Sequence, residues 1–461
     1  MKLGVVDIGS NAIRAVVYDG PKLGSPVIFH SKFRCDLKTL LDKDLDCFSN
    51  QIYSIFGYFS YYFTNNNVNK IKCVATEVLR KHPKSNDFLT LIKTKYNLDI
   101  EILTGQEEAQ FAAKGLISGI KNVNGLGVDF GGGSLELMRI NNNQIEKTIS
   151  IPFGTNIDKD SVSIEKVFDS ISENFSEEAF NNLYLIGGTF RMIGRNYMYL
   201  MNYPFKILHN ITISIESFYE YIVLAEKNIK PNLNVAQQNG IRIIKALIDV
   251  ARIQNIFVSS YGLKEGVRFS CLLDEDEESK DVIFERVKKA TNFDDKSSDL
   301  ESYFQILNNL FFLKLDDLKE VLYLTIMLSR FYLKCGNAIG GAFVYDFIMT
   351  SDIPFSEKQR IMLASILSSI FLNNIPYNIK KISKIYLSAN DYYIINIIAN
   401  FIKIAGEIDG MALYKPNFDL VQNGKFIEVK TDFALPNVIY HKIKSHLKEL
   451  RYLIIANNIE N

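Results

Sequence analysis

One pattern occurs twice in this sequence and limits its fold more than any other feature. VVDIGSNAIR runs from Val5 to Arg14, and GVDFGGGSLEL runs from Gly127 to Leu137. Each is a short apolar, β-branched run ending in Asp, a Gly/Ser-rich turn and a second apolar run. That is the signature of two strands joined by a turn. A chain that builds the same acidic hairpin in two places is expected to contain two related α/β halves.

The chemistry of such a hairpin is specific. A Gly/Ser turn presents consecutive backbone N–H groups that can cradle phosphate oxygens, and Gly lets the backbone approach the anion closely. An Asp beside the turn would repel a bare phosphate. A Mg²⁺ ion between them removes the conflict, because Mg²⁺ is held by one or two carboxylates together with phosphate oxygens. Asp7 and Asp129 are therefore candidate metal-facing residues. Glu136, beyond the turn on the returning strand, is placed to face the same cleft.

The 461 residues suggest about three domains. Through residue 270 apolar strand-like runs alternate with helical spacing, which predicts an α/β region. Residues 45–63 have helical periodicity, and KIKCVATEVLR, DIEILTGQEEA, LYLIGGTFR and NIFVSSYGLKEG each read as a strand entering a helix. The acidic run at 274–281 marks a change of composition. From about 297 the pattern is helical, interrupted by a small hairpin at 418–433 whose Asn423-Gly424 pair is a turn signal. Expected boundaries are 1–122, 123–290 and 297–461.

Net charge is zero, so bulk electrostatics do not draw the chain to a polyanion, and any anion site must be local. Five scattered cysteines read as reduced thiols in a cytoplasmic protein. The first apolar run is broken by Asp7, so no signal peptide is expected. No window approaches the ~18 apolar residues of a membrane helix.

Three further segments carry chemistry. In TGQEEAQFAAKG, Glu107 and Glu108 follow a Gly turn at a helix start. Adjacent helical positions point about 100° apart, so only one of them can face a given site. Either could serve the helix dipole or act as a base that activates water. Arg80 in VATEVLR suits phosphate recognition, and GGTFR at 187–191 is a third Gly turn after a strand.

Taken in order, DIGSNAIR, ATEVLR, TGQEEA, DFGGGSLEL, IGGTFR and SSYGLKEG resemble the motifs of the exopolyphosphatase/guanosine pentaphosphate phosphohydrolase family. The resemblance spans roughly residues 1–270. It implies two ribonuclease-H-like domains of the actin-like ATPase superfamily, each supplying one phosphate loop. It further implies Glu108 as the catalytic carboxylate, and Ser10, Asn11, Arg80, Gly131, Gly132, Gly133 and Ser134 as phosphate-binding residues. Asp7, Asp129 and Glu136 would hold Mg²⁺. Inorganic polyphosphate is the expected substrate, guanosine pentaphosphate the alternative, and a homodimer the expected assembly. A silent binding protein and an ATP user are the competing classes.

Larger members of that family carry a helical region resembling HD-type phosphohydrolases. Here Ser329-Arg330 stand where a His-Asp pair is expected, and the histidines fall at 30, 82, 209, 441 and 446. An HD metal site needs imidazole ligands, so the helical third is expected to be a degenerate HD-like scaffold. Lys380, Lys381 and Lys384, and the basic run from Lys442 through Lys444 and Lys448 to Arg451, are candidates for guiding a chain of phosphates.

Overall fold

A computed structural model describes residues 2–460, except 21–24, 43–44, 156–162, 176–178, 228–232, 272–280, 294–298, 312–315, 332–336, 373–374, 412, 451–452 and 457–458. Most of the acidic run at 274–281, together with Cys335 and Arg451, lies outside the described residues. The chain divides into two compact units, Met1–Val282 and Ile283–Asn461.

The first unit is built on two sheets. The first contains β1 (Leu3–Gly9), β2 (Ala12–Tyr18), β3 (Val27–Arg34), β4 (Lys70–Ala75) and β5 (Ile100–Ile102), in the order β3-β2-β1-β4-β5. β1, β2 and β3 form an antiparallel meander, and β4 and β5 join parallel to β1. The second sheet contains β6 (Gly125–Phe130), β7 (Leu135–Asn141), β8 (Gln144–Ile151), β9 (Asn182–Ile186), β10 (Ile211–Ser214) and β11 (Asn255–Val258). Its order, β10-β11-β9-β6-β7-β8, repeats the first plan with one antiparallel edge strand added. The duplication announced by the two hairpins is thus a duplication of whole sheets. β3 and β8, the third strand of each meander, are additions to the sequence reading.

Both faces of each sheet are covered. The helix Leu45–Asn65 and its neighbour Ser85–Tyr96 bury Phe56, Phe59, Phe88 and Ile92 against one face of the first sheet. On the second sheet, Phe130, Phe190, Ile193 and Leu247 anchor the larger core. The remaining faces are covered by exchange. The helix Gly105–Gly119 follows the first sheet in sequence, yet its Ala109, Ala112, Ala113 and Leu116 pack on Met138, Ile140 and Ile186 of the second. Leu263–Phe269 follows the second sheet and sets Val267 against Leu3, Val5 and Val74 of the first.

These two short-faced helices meet through glycine. A Cβ on Gly115 would run into the carbonyl of Gly262, and one on Gly266 into the carbonyl of Phe111. Backbone-to-backbone contact of this kind leaves no room for a side chain and fixes the two halves relative to each other.

The second unit contains helices including Leu300–Phe311, Glu357–Phe371 and Ala389–Asp409. Phe418–Asn423 and Phe426–Thr431 form the expected hairpin, but Asn423 pairs with Phe426, so the two loop residues are Gly424 and Lys425. Gly424 takes φ 65° at the first loop position, where two-residue hairpins favour Gly. A third strand, Leu453–Ala456, joins parallel after the helix Asn437–Glu449. Ser329 donates to the carbonyl of Ile326 (2.7 Å), and the Arg330 guanidinium lies over the rings of Phe293 and Tyr414 at 4.2 and 4.8 Å. Lys380, Lys381, Lys384, Lys442, Lys444 and Lys448 lie on exposed helix positions, with Lys442 paired to Glu407 at 2.8 Å. Among the described residues no helix is long and apolar enough to cross a membrane.

Candidate active site

The two acidic hairpins meet at one cleft. In the first, Asp7 lies directly across the ladder from Arg14 and the two-residue loop is Ser10-Asn11. In the second, Asp129 lies directly across from Glu136 and the loop is Gly131–Ser134. Directly opposed residues share a face of the sheet, so register alone sends Asp129 and Glu136 the same way. The loops touch: a Cβ on Gly132 would stand 2.8 Å from the Cβ of Ser10 and 3.1 Å from Nδ2 of Asn11. Gly187, at φ 96°, opens the third turn beside Asp129, whose Oδ1 occupies the space a side chain there would need.

The cleft has a cavity volume of about 630 Å³, lined by Asp7, Ser10, Asn11, Glu108, Asp129, Glu136 and the Gly131–Ser134 turn. Arg80 is the exception among the expected residues. Its guanidinium donates to the carbonyl of Leu103 and lies 3.5 Å from Glu108 Oε2, behind the cleft in an adjoining cavity.

Helix capping separates the two adjacent glutamates. Thr104 is the N-cap of Gly105–Gly119 and accepts from Glu107 N at 3.2 Å. Glu107 Oε2 in turn accepts from Thr104 N at 2.8 Å and from its hydroxyl at 2.9 Å. This reciprocal pair closes the orphan donors of the first turn and holds Glu107 below the usual carboxylate range. Glu107 is therefore spent on the exposed helix start, and the next residue, rotated by about 100°, points Glu108 into the cleft. Thr104→Ala is expected to lower stability by about 1 kcal/mol in urea unfolding. An unchanged unfolding midpoint would show that the cap is not needed.

Burial, and then the neighbouring acidic charges, raise three of the cleft carboxylates, Glu108, Asp129 and Glu136. Burial pushes Glu108 up to about 8; Arg80 opposes the rise, and the charges of Asp129 and Asp7 add to it. Burial likewise lifts Asp129 to about 6 against the pull of Arg191. Glu136, buried and facing Glu108 and Asp129, is raised well above the ordinary value even though Ser150 donates to it at 3.1 Å. Arg14 donates to Asp7 Oδ2 at 2.7 Å. Asp7 Oδ1 is buried with no hydrogen-bond partner, and the buried Glu108 Oε2 has the Arg80 guanidinium 3.5 Å away as its ion-pair partner.

A cluster of crowded carboxylates, with an orphaned oxygen on Asp7, is the donor set a hard divalent cation prefers. Among the described residues no three acidic, His or Cys side chains converge closely enough to hold a metal by themselves. The residues fit an ion that completes its shell with water and phosphate oxygens, as Mg²⁺ commonly does.

Sequence reasoning missed the cations. Arg14, Lys32, Arg34, Arg191, Arg195 and Lys264 also line the cleft. Arg14 pairs across the ladder with Lys32, and Arg34 lies two residues further along β3. Strand alternation in HSKFR put Lys32 and Arg34 on one face, and that was the available signal.

Two sheets of order 3-2-1-4-5, each giving one turn to a shared cleft, define an α/β protein of the actin-like ATPase type. The chain belongs to the Ppx/GppA phosphatase family, whose model matches residues 26–275. It is similar to exopolyphosphatase 1 of Mycobacterium leprae, 26% identical over 161 residues, covering 33% of this chain and 47% of that protein. Exopolyphosphatase 1 of Mycobacterium tuberculosis is 27% identical over 160 residues, covering 33% and 46%. The chain thus spans about half the length of the curated relatives it matches. Among solved structures, the Ppx/GppA family member of Aquifex aeolicus shares 21% identity at a TM-score of 0.50, covering 60% of this chain and 99% of that one. An exopolyphosphatase from Cytophaga hutchinsonii shares 18% at 0.50, covering 59% and 98%. These structures establish the fold of the part of the chain they cover.

Proposed function

We propose that this protein is a Mg²⁺-dependent exopolyphosphatase that removes the terminal phosphate of inorganic polyphosphate. The observation that carries the reading is Glu108, a buried carboxylate paired with Arg80 at 3.5 Å, in a cleft built from two Gly/Ser turns and lined by six cations. A phosphate-binding cleft alone would serve a kinase equally well; a proton acceptor of raised affinity inside it favours water as the nucleophile.

Each residue then has a task. The Ser10-Asn11 and Gly131–Ser134 turns hold oxygens of the terminal phosphate through backbone N–H groups and hydroxyls. Glu108, steadied by Arg80, accepts a proton from water as the water oxygen bonds to phosphorus. The bridging P–O bond breaks, and its electron pair stays on the bridging oxygen, now the end of the shortened chain. Arg14, Lys32, Arg34, Arg191, Arg195 and Lys264 bind the remaining phosphates by charge. Asp7 and Asp129, with Glu136 behind them, would hold Mg²⁺, which when bound neutralises phosphate oxygens and stabilises charge in the transition state.

The relatives' names support polyphosphate as substrate. Guanosine pentaphosphate, cleaved at its 5′ γ-phosphate, is the second reading, and it uses the same residues. In the helical unit Ser329-Arg330 favour a scaffold in place of a second metal centre. Comparison of kcat/KM for long-chain polyphosphate, guanosine pentaphosphate and ATP tests the assignment. Polyphosphate is expected to lead, and Glu107→Gln should leave its turnover unchanged. ATP outrunning both phosphate donors would replace the reading with an ATPase.

A further inference from the structure

We propose that the cavity behind Arg80 is an exit through which orthophosphate leaves while the shortened chain stays in the main cleft. The proposal rests on the hydrolase reading above and adds a route to it. The cavity measures about 440 Å³. That is ample for an orthophosphate ion.

Its position relative to the chemistry is what gives it this role. Glu77 and Ser134 line both cavities. Between them stands the Arg80–Glu108 pair, 3.5 Å apart, with Arg80 facing the rear cavity and Glu108 the main cleft. In-line displacement places the attacking water opposite the leaving oxygen. Glu108 marks the water side, so the chain extends away from it, among the cations of the main cleft. Once the bond breaks, the freed phosphate lies between Glu108 and a chain that still fills the way it came. It must wait for the chain to dissociate or pass Glu108 to the rear.

The rear cavity suits a small anion. Arg80 and Lys81 supply positive charge, and Gln106 and Thr148 supply neutral donors. Glu77 stands at the junction. Its Oε1 lies 2.7 Å from Lys81 Nζ, and its Oε2 occupies the space a Cβ on Gly133 would need. Passage of orthophosphate by this route requires the Glu77 side chain to swing away from the turn. A long polyanion remains held by its other phosphates. Retention of chain with release of product is the physical requirement for many cleavages per encounter.

The test is rapid-quench phosphate release from long-chain polyphosphate with Mg²⁺, using the full chain and the variants Gln106→Trp and Thr148→Trp, which narrow the rear cavity. The expected result is a first turnover at the wild-type rate followed by a steady state slowed about fivefold or more, the signature of impeded product release. Added orthophosphate should inhibit the wild type without raising its KM for polyphosphate. Steady-state rates unchanged in both variants would overturn the exit. So would a first turnover slowed as much as the steady state, because the cavity would then serve the chemical step. A wild type that releases no phosphate from polyphosphate would instead overturn the hydrolase reading on which the exit rests.

Discussion

Replacing Glu108 by Gln is expected to lower kcat for polyphosphate by about two to four orders of magnitude, the range for loss of a general base, while binding of the chain persists. Gln keeps the shape and removes the proton acceptor. The cleft cations and both turns remain in place, so affinity measured in a binding experiment should stay near the wild-type value. Loss of kcat with retained affinity is the pattern of an interaction made in the transition state. If polyphosphate hydrolysis were undiminished in this variant, the base would have to be another group. The neighbouring Glu107, held in its capping box, sets the control: the same change one residue earlier should leave turnover intact.

The second large effect concerns the divalent cation. Asp129 and Glu108 hold protons in the folded, metal-free protein up to about 6 and about 8, whereas unfolded carboxylates ionise near 4. Between those limits the folded state binds more protons than the unfolded one, so stability falls as pH rises. The stabilising protonation is fully present below the unfolded range and is lost as pH climbs through about 6 and then about 8. A bound cation offsets the exposed negative charge. Thermal unfolding should therefore show a lower Tm at pH 8 than at pH 5.5 without Mg²⁺, and a larger Mg²⁺-induced rise at pH 8. Asp129→Asn should remove most of that rise and reduce hydrolysis by about two orders of magnitude or more, since the charge stabilisation supplied at such sites is worth several kcal/mol. A Mg²⁺ shift independent of pH and unaltered in the variant would contradict this placement of the ion.

Much of this site was legible because it is local. Asp7 sits at a fixed distance before its turn, Asp129 and Glu136 flank theirs, and hairpin register converts the second spacing into a shared face. The Thr104-x-x-Glu107 capping box was also written in the sequence, and it distinguishes the two glutamates without any appeal to relatives. Lys32 and Arg34 were harder, because β3 is an exposed strand of mixed composition and only its alternation reveals it. Leu453–Ala456 spans four residues, too few for periodicity to separate strand from helix. The exchange of helices between the sheets was not legible, since it depends on contacts distant in sequence. Its local traces include the glycines at 115, 119, 262 and 266, whose meaning appears once the opposing segment is present. Arg80 illustrates the same limit. Its residue type suits phosphate, but which cavity it faces depends on contacts distant in sequence.

The most direct measurement is the release of orthophosphate from purified long-chain polyphosphate by the full chain with Mg²⁺, followed together with the length of the remaining polymer. The account predicts orthophosphate as the sole small product, a polymer shortened from its ends, and loss of both signals in Glu108→Gln. Intact polymer after prolonged incubation with the wild type, or cleavage into internal fragments, would contradict it.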